Sequence, residues 1–568
     1  MTFLENALEV TLRGGEAAWV DGALELRGVF PSAEGAENED ATIELTVRHP
    51  LVSPEHVWVP HLTPEVGNVM GDAVFRSPAI VIADRELALA FIPDLDDVRD
   101  AADFRVWLDY DHPQQKLTMA AGAYREDGHV FYVRERPRAA GQVVRLRLHV
   151  IASRAPRDLE NPYGMAARWI WSRWGRAGFE RAEARPLAPL LRHIVRWAFS
   201  PDGWGESVWQ PVDLTPEPAG APVFIVDVTR HPSVPLEQRR WREPRSIWNQ
   251  IWFSTQRCAN GLLRYARQIA SAELEDRARQ MTEIALAAPQ RDGLFPARIV
   301  ADDAAGAWRW SNSDRRPPSA SADACHLVDA AFTCRMLLEW YSLTGDERAR
   351  AYVIRFADRL IALQGPSGAF PGWVEPGGRV PTELAEGPES AVSATLLFEL
   401  AHLEGQSGTS RSLEWQKSAL AALPFLEDVA RRGRWEDFET YYSCARWGEP
   451  ALIGQRVPRN GVYKQNTLSI AWCTEAFLEG FRATRHERLL ALARRCIDEL
   501  SLYQAAWDPP FLPAPAHGGF GVMNADSEWN DARQSLFAPL FLELARETGD
   551  PELTERGISA LRASFSML

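Results

Sequence analysis

The sequence predicts a multidomain protein of α and β structure, in which an N-terminal antiparallel β-sandwich precedes a ring of six helical hairpins. Apolar residues of roughly the first 155 positions alternate with a period of two, and from about residue 244 the period becomes 3.6. In the second part, a unit of two helices and a glycine-aromatic loop recurs about every 65–85 residues, which is typical of a repeat architecture. The length of 568 residues leaves room for two such large domains.

Residues 1–155 are predicted to form the sandwich. Alternating segments at 41–47 and 141–150 indicate strands, and shorter strands are expected at 80–83, 87–92 and 104–108. Turns rich in Gly, Asp and Pro separate them without intervening helical periods, which favours an antiparallel arrangement. The acidic segment Asp94-Leu-Asp96-Asp97 is expected to be a polar turn after a strand.

A connector of mixed character is predicted at 156–243. The pattern at 168–174 and at 186–200 indicates helices, and we expect helices from 160–200 to complete the ring. Residues 201–235 are rich in Pro and Gly and contain one apolar run at 223–228, so we expect an irregular excursion there.

Residues 244–568 are predicted to hold the remaining five hairpins. Two of the inter-helix turns are alike, Thr344-Gly-Asp346 and Thr548-Gly-Asp550. Closing six hairpins into a ring would bury the inner helix faces and leave no free end. The expected helix pairs are 248–270 with 272–288, 325–343 with 346–364, 388–403 with 413–432, 466–483 with 486–506, and 531–547 with 551–565.

Charge and composition exclude several classes of partner. The chain has 62 Lys and Arg against 77 Asp and Glu, a net charge of −15, which disfavours binding to nucleic acid or to an anionic membrane. No signal peptide and no apolar run long enough for a membrane span is visible, and the six cysteines form no C-x-x-C pair, so we expect free thiols and a cytoplasmic protein. Metal and nucleotide motifs are also missing, and we expect no metal and no cofactor.

The glycine-aromatic loops carry a resemblance. Gly293-Leu-Phe-Pro296 and Gly368-Ala-Phe-Pro-Gly-Trp373 each follow the second helix of a pair. With a β-sandwich ahead of them, the chain resembles the (α/α)6-toroid carbohydrate-active enzymes, which include glycoside hydrolases and polysaccharide lyases. The segment 364–370 also resembles the repeat of triterpene cyclases, but the only D-x-D-D match, at 94–97, lies in the predicted β domain.

The resemblance implies a glycoside hydrolase that acts on an oligosaccharide through two carboxyl groups, one as proton donor and one as base or nucleophile. Ring geometry would bring the loops after the second helices and the starts of the inner helices to one end. The carboxylates found in those places are the candidate catalytic residues Asp437, Glu439, Asp531, Asp526 and Glu389. Aromatic neighbours of Asp437 and Glu439 favour one of these two as the proton donor.

Structural explanations compete with these roles. Asp531 and Gln534 have the spacing of a capping box. Glu389 follows Pro388 at an expected helix start and would complement the helix dipole. His326 and Asp329 have helical i, i+3 spacing, which suits a hydrogen-bonded core histidine.

Aromatic and polar residues of the same loops are candidates for binding sugar rings, since Trp is unusually frequent, with 22 copies. They are Trp310, His326, Trp373, Trp435, Tyr441, Tyr442, Trp529 and Arg533. Arg533, together with Arg257, Arg309 and Arg446, favours a uronic-acid sugar and hence a β-glucuronidase-like enzyme, because arginine binds carboxylates in a bidentate manner.

Two other functions stay open. A polysaccharide lyase would use Tyr441, Tyr442, Tyr463 or His326 as the base, with Arg or Asn neutralising a uronate. A non-catalytic carbohydrate-binding toroid would have no turnover to lose. An isomerase on the same toroid is also open, although the repeats contain few of the His residues that usually mark one. The expected partners are the oligosaccharide and, as an open alternative, further copies of the chain in a homo-oligomer.

Overall fold

The computed structural model describes residues 7–30, 42–101, 104–127, 131–135, 141–182, 186–199, 209–223, 246–302, 307–313, 316–405, 410–437 and 454–566. Two compact units divide the chain. The first comprises Met1–Arg185, Asp428–Leu478 and Glu487–Leu568, and the second comprises Pro186–Glu427 and Glu479–His486.

Two six-stranded antiparallel sheets belong to the first unit. Their strands are β1 Glu9–Arg13, β2 Gly15–Val20, β3 Ala23–Val29, β4 Ile43–Arg48, β5 His56–Trp58, β6 Asn68–Gly71, β7 Ile80–Ala83, β8 Ala88–Pro93, β9 Arg105–Asp111, β10 Lys116–Asp127, β11 Phe131–Glu135 and β12 Val143–Ser153. One sheet has the order β1-β4-β10-β11-β6-β9 and the other has the order β2-β3-β12-β8-β7-β5.

Burial along these strands follows their apolar pattern. Strand β4 alternates, with Ile43, Leu45 and Val47 buried, as expected for a strand with one solvated face. Strands β7 and β8 are buried at every position and read as continuous apolar runs. The predicted antiparallel strands are therefore confirmed, while their packing as a sandwich stays a prediction.

The acidic segment at 94–97 is not a turn. Asp94 caps a short helix, Leu95–Asp100, by accepting hydrogen bonds from the backbone N–H groups of Asp96 and Asp97 at 3.0 and 3.3 Å. An aspartate before a short apolar-acidic stretch is a good helix start, and this signal outweighed the turn composition.

The remaining helices of the first unit include one whole hairpin and part of another. They are Pro156–Glu160, Pro162–Ile170, Arg176–Arg181, Glu487–Ser501, Gln534–Thr548 and Pro551–Ser566, together with the start of Thr467–Thr484, and Trp171–Gly175 forms a π-helical turn. The two helices of the last hairpin, Gln534–Thr548 and Pro551–Ser566, pack against each other along their length.

The second unit is mostly helical. Its helices are Leu187–Phe199, Thr255–Ile269, Ala272–Ala287, Leu327–Thr344, Glu347–Ala362, Ser390–Gly405 and most of Ser410–Arg432. Short strands connect them: β13 Trp209–Val212 pairs with β14 Ala219–Pro222, and β18 Cys325–His326 pairs with β19 Trp373–Val374. A three-stranded sheet has β16 Arg298–Asp302 in its centre, paired with β15 Ser246–Trp248 on one side and β17 Ala307–Ser311 on the other.

The two Thr-Gly-Asp turns have the same construction. Gly345 and Gly549 each end a helix in the left-handed region, with φ of 72° and 70°, where a residue without a Cβ is favoured. The following aspartates begin the next helix, since Asp346 accepts from the N–H of Arg348 at 3.0 Å and Asp550 accepts from that of Glu552 at 2.9 Å.

All ten helices predicted after residue 244 are present, with displaced ends. The largest displacement is in the first, which begins at Thr255 and not at 248, because Trp248 lies in β15 and Ser254 caps the helix through the N–H of Arg257 at 3.1 Å. Closure of the hairpins into a ring of six stays a prediction, and residues 224–228 of the predicted apolar run lie outside the described residues.

Among the described residues, no helix is long and apolar enough to cross a membrane. Five cysteines, Cys258, Cys325, Cys334, Cys473 and Cys496, are free thiols, and Cys444 is outside the part of the chain that the structure describes.

Candidate active site

In the first unit, the loop before the helix Gln534–Thr548 brings three carboxylates together. Asp526 shapes this loop by accepting hydrogen bonds from the backbone N–H groups of Met523 and, at 3.1 Å, Glu528. Arg76 reaches the same loop, with Nη1 3.3 Å from Asp526 Oδ1 and 2.5 Å from the main-chain oxygen of Glu528. Both oxygens of Asp526 are thus engaged within the protein.

The ion pair between Arg76 and Asp526 is buried, with side chains 2 % and 10 % exposed. Burial raises the pKa of Asp526, and the positive charge of Arg76 opposes that shift. A buried pair of this kind makes the loss of either partner costly, because the remaining charge would be left in an apolar environment.

Glu528 lies at the exposed tip of the loop. Partial burial of its carboxyl group, together with the charges of Asp526 and Asp531, raises the pKa of Glu528 to about 7, against the opposing charges of Arg533 and Arg76. Glu528 remains accessible to solvent, although its carboxyl group lies close to two other carboxylates, those of Asp526 and Asp531. A carboxyl group with this pKa carries a proton for a large fraction of the time near neutral pH, which suits a general acid.

Asp531 is the second solvent-accessible carboxylate of the cluster, with its side chain 29 % exposed. Its Oδ1 accepts from the N–H of Arg533 at 2.9 Å and lies 3.4 Å from Arg533 Nε. Half of the predicted capping box is present, since Gln534 Oε1 accepts from the N–H of Asp531 at 3.3 Å. The Asp531 side chain bonds to the N–H of Arg533 in place of that of Gln534.

Asp437 is fixed beneath the start of the helix Thr467–Thr484. Asn466 Nδ2 donates to Asp437 Oδ1 at 3.0 Å and Ser469 Oγ donates to Oδ2 at 3.2 Å. Asn466 Oδ1 in turn accepts from Arg533 Nη1 at 3.3 Å. A polar network therefore links Asp437 to the loop carboxylate Asp531 through Asn466 and Arg533. Glu439, Tyr441, Tyr442 and Arg446 lie outside the described residues.

Two of the tryptophans predicted to bind sugar, Trp435 and Trp529, lie in the first unit. They differ in their hydrogen-bond partners and in the residues around them. Trp435 is fully buried, and its Nε1 donates to Glu499 Oε1 at 2.8 Å. Trp529 is 6 % exposed, donates through Nε1 to the main-chain oxygen of Ala73 at 2.6 Å, and lies edge-on to Phe511 with 6.0 Å between ring centroids. Phe511 is 40 % exposed, and the guanidinium carbon of Arg105 lies 5.2 Å from its ring centroid.

The second unit contains a separate cluster around His326, at the start of the helix Leu327–Thr344. Its Nδ1 lies 2.9 Å from Asp329 Oδ2, and its Nε2 lies 3.3 Å from Glu389 Oε1. Asp329 also accepts from the N–H of Ile251 at 3.2 Å. Burial disfavours a charged imidazole, but the two carboxylates outweigh it and raise the pKa of His326 to about 9.

Two indole rings lie nearly parallel to the His326 imidazole. Trp373, paired with His326 between β19 and β18, stacks at 4.3 Å with 14° between planes, and Trp252 lies at 6.3 Å with 13°. His326, Asp329 and Glu389 are each at most 3 % exposed, and Trp252 is half-buried. Trp310 lies in β17 and is half-buried. Of the other arginines, Arg257 is half-buried and Arg309 is exposed.

Glu528 is not among the candidate catalytic residues predicted from the sequence. The available signal was three carboxylates within six residues, at 526, 528 and 531, beside Trp529. Arg76 and Trp252 had no comparable signal, because each is far along the chain from the residues it contacts.

No protein-family model matches this chain, and no match was found among curated proteins. Solved structures that are similar include a D-mannose isomerase, with 10 % identity, covering 57 % of this chain and 78 % of that one at a TM-score of 0.39. An unsaturated glucuronyl hydrolase specific for heparin is 11 % identical. The match covers 55 % of this chain and 72 % of that one, at a TM-score of 0.33. An α-mannanase of Bacteroides thetaiotaomicron is 9 % identical. The match covers 71 % of this chain and 86 % of that one, at a TM-score of 0.36. At such TM-scores these likenesses carry no argument about the reaction of this chain.

Proposed function

We propose that this protein is a glycoside hydrolase in which Glu528 is the general acid and Asp531 is the partner carboxylate. The observation that carries the proposal is Glu528 itself, an exposed residue whose carboxyl pKa is raised to about 7 by partial burial of that group and by the charges of Asp526 and Asp531. Glycosidic bond cleavage needs one carboxyl that is protonated and one that is not, on a surface open to substrate.

In the proposed reaction, protonated Glu528 donates its proton to the glycosidic oxygen while the bond from that oxygen to the anomeric carbon breaks. The carboxylate of Asp531 either takes a proton from the attacking water or attacks the anomeric carbon itself, depending on the distance between the two carboxyl groups across the bound sugar. Arg533, with Nε 3.4 Å from Asp531 Oδ1, compensates the negative charge on that group. If Asp531 acts as the base, it then releases its proton to solvent and Glu528 takes one up. If Asp531 attacks, the Glu528 carboxylate removes a proton from the water that hydrolyses the glycosyl ester of Asp531, which restores both groups.

Asp526 and Arg76 have a positioning role in this proposal. The hydrogen bonds of Asp526 to the N–H groups of Met523 and Glu528 define the turn from which Glu528 projects. The bond from Arg76 to the main-chain oxygen of Glu528 holds the same residue from the other side. Asp437 supports Arg533 through Asn466, and thereby Asp531.

The proposed substrate is an oligosaccharide, and a uronic-acid sugar remains the first to test. Phe511, beside Trp529, offers an apolar face of the kind that packs against a sugar ring. The catalytic or binding roles predicted from sequence also included Glu389, Trp310, His326 and Trp373, which all lie in the second unit. Glu439 lies outside the described residues.

The test is a panel of para-nitrophenyl glycosides that includes the glucuronide, run beside an assay of ultraviolet absorbance on uronate polysaccharides. The proposal expects release of para-nitrophenol from at least one glycoside and no gain in ultraviolet absorbance from a new double bond. Glu86→Gln, which changes an exposed carboxylate on another loop of the same unit, is the matched control for Glu528→Gln. Cleavage that creates a double bond would favour the lyase, and no cleavage of any glycoside would contradict the proposal.

A further inference from the structure

Three aromatic rings lie together beside the carboxylate loop of the first unit. Trp529, the residue after Glu528, contacts Phe511 and Trp507 edge-on, with 6.0 and 6.1 Å between ring centroids. Trp507 and Trp529 are buried, whereas Phe511 is 40 % exposed. Of these three rings, Phe511 is therefore the one that a bound sugar can reach.

A guanidinium group lies against the Phe511 ring. The guanidinium carbon of Arg105, at the start of β9, is 5.2 Å from the ring centroid, and the Arg105 side chain is 39 % exposed. Phe511 and Arg105 thus present an apolar surface and hydrogen-bond donors side by side. A sugar has the complementary pair of features, an apolar ring face and oxygens that accept hydrogen bonds.

Arg105 is held in place through one of its three nitrogens. Nη2 lies 2.5 Å from Asp72 Oδ1 and donates to Tyr124 Oη at 2.7 Å. Within the described part of the chain, Nη1 and Nε have no hydrogen-bond partner, and both remain in contact with solvent. The Asp72 side chain is 6 % exposed, so the accessible part of Arg105 is turned away from its carboxylate partner.

The charge of Asp72 is shared among several donors. Its Oδ1 also accepts from Tyr124 Oη, and its Oδ2 accepts from the N–H of Val106 at 3.2 Å. Arg105 is thus one of three groups that stabilise this buried carboxylate. Its guanidinium can therefore bind a second anion on the solvent side while it remains paired with Asp72.

The same short turn holds both Arg105 and the residue after the proposed general acid. Asp72 pairs with Arg105, and the main-chain oxygen of Ala73 accepts from Trp529 Nε1 at 2.6 Å. Tyr124 Oη, which accepts from Arg105, also accepts from the N–H of Ala73 at 3.0 Å. The 3-10 turn Asp72–Val74 therefore fixes Arg105 relative to the loop that carries Glu528.

We infer that Phe511 and Arg105 form a sugar-binding subsite beside Glu528, and that the sugar bound there carries an acidic group, a carboxylate or a sulfate. The sugar ring packs on the exposed part of Phe511, and an oxygen of the acidic group accepts a hydrogen bond from Nη1 or Nε of Arg105. Arginine has donors and no acceptor, so it favours a group that only accepts. This inference rests on the proposed function, because it assigns the class of substrate on which Glu528 acts.

The test is calorimetric titration of the full chain with D-glucuronate, glucose 6-sulfate and glucose, which requires no turnover. We expect at least one acidic sugar to bind with a Kd of about 1–10 mM, and glucose to bind about tenfold more weakly or less. The acidic sugar that binds more tightly identifies the substituent. No binding of either acidic sugar at about 50 mM, or an equal affinity for glucose, would overturn the inference. If an acidic sugar binds as expected and no glycoside is cleaved, the subsite stands and the hydrolase proposal fails.

Arg105→Gln and Phe511→Leu are the informative variants. We expect Arg105→Gln to weaken binding of the acidic sugar about tenfold or more, and Arg105→Lys, which keeps a positive charge beside Asp72, to recover part of the affinity. Phe511→Leu changes an exposed ring and should leave folding intact, so it tests the subsite even if Arg105→Gln does not fold. It should weaken binding of the acidic sugar several-fold.

Arg99→Gln is the matched control. Arg99 is 38 % exposed and its guanidinium carbon lies 5.8 Å from the Trp507 centroid, but it pairs with Asp96 at 3.0 Å and the ring beneath it is buried. Its replacement should leave the affinity for the acidic sugar within about twofold of the wild type. If Arg105→Gln and Phe511→Leu bind the acidic sugar as tightly as Arg99→Gln does, the inference is wrong.

Discussion

Arg76 and Asp526 form a buried ion pair, with 3.3 Å between Nη1 and Oδ1, although 450 positions separate them in the sequence. One partner follows strand β6 and the 3-10 turn Asp72–Val74, and the other shapes the loop that carries Glu528. Because the guanidinium also bonds to the main chain of Glu528, the pair connects the stability of the first unit to the geometry of its carboxylate loop.

Replacing Arg76 tests this connection. Arg76→Gln leaves the buried carboxylate of Asp526 without its charge partner, so we expect the free energy of unfolding to fall by about 3–5 kcal/mol. The double variant Arg76→Gln/Asp526→Asn should recover part of that loss, because no buried charge then remains unpaired. Urea denaturation measures the free energy of unfolding of the single and the double variant. Strictly additive effects in the double variant would show that the two residues do not interact.

Glu528 can be tested through the leaving group of the substrate. If Glu528 protonates the glycosidic oxygen, Glu528→Gln should reduce kcat by about 10²–10⁴-fold for an alkyl glycoside. The reduction in kcat should be much smaller for a dinitrophenyl glycoside, whose leaving group departs without a proton. The Glu86→Gln control should match the wild type on both substrates. Equal losses of kcat on the two substrates would argue that Glu528 has a role other than proton donation.

The raised pKa of Glu528 also predicts a pH dependence of stability. The folded state holds the Glu528 proton more tightly than the unfolded chain, whose glutamates have a pKa of about 4.5. Stability contributed by this group is therefore lost as the pH rises from about 4.5 to about 7. Urea denaturation over this range should show a smaller decline for Glu528→Gln than for the wild type, and identical slopes would contradict the shift.

His326 should titrate far above an ordinary histidine. Asp329 and Glu389 stabilise its charged form, so a histidine resonance titrating at about pH 9 is expected and should be absent in His326→Gln. Because this pKa lies above the unfolded value of about 6.5, the stability from the charged ring is complete below that value and is lost as the pH rises through about 9. Asp329→Asn should lower the pKa of His326, and an unchanged value would show that the pair contributes nothing.

Substitution of Trp435 tests whether this residue belongs to the core or packs against substrate. Its indole is buried and donates to Glu499, so Trp435→Phe should cost about 1–3 kcal/mol of stability by leaving that buried carboxyl with only the longer bond from Gln465, at 3.4 Å. KM for a cleaved glycoside should stay within about twofold of the wild type, since the ring is not accessible. A large rise in KM with little loss of stability would instead support the substrate-binding role predicted from sequence.

Local patterns in the sequence were enough to predict much of the fold. The helical period located all ten helices that the described residues form after residue 244, and the Thr-Gly-Asp turns built on Gly345 and Gly549 proved alike because the same cap chemistry recurs. The hydrogen bond between His326 and Asp329 likewise follows from their i, i+3 spacing. Each of these features depends on residues that are close together in the chain.

The remaining features depend on distant contacts. Nothing in the sequence around Trp252 indicates that its ring lies nearly parallel to that of His326, with 6.3 Å between centroids. Trp435 was expected to face substrate because acidic and aromatic residues surround it in sequence, yet its indole is buried against Glu499 of another helix. The raised pKa of Glu528 requires the three-dimensional positions of Asp526, Asp531 and two arginines, which spacing alone does not specify.

The assignment of Glu528 as general acid is tested most directly by the pH dependence of kcat/KM for a cleaved alkyl glycoside, measured for the wild type and for Glu528→Gln. For the wild type, kcat/KM should fall as the pH rises through about 7, because the free enzyme then loses the proton that Glu528 must donate. In Glu528→Gln the residual activity should lack this decline. A decline at the same pH in both proteins would contradict the assignment.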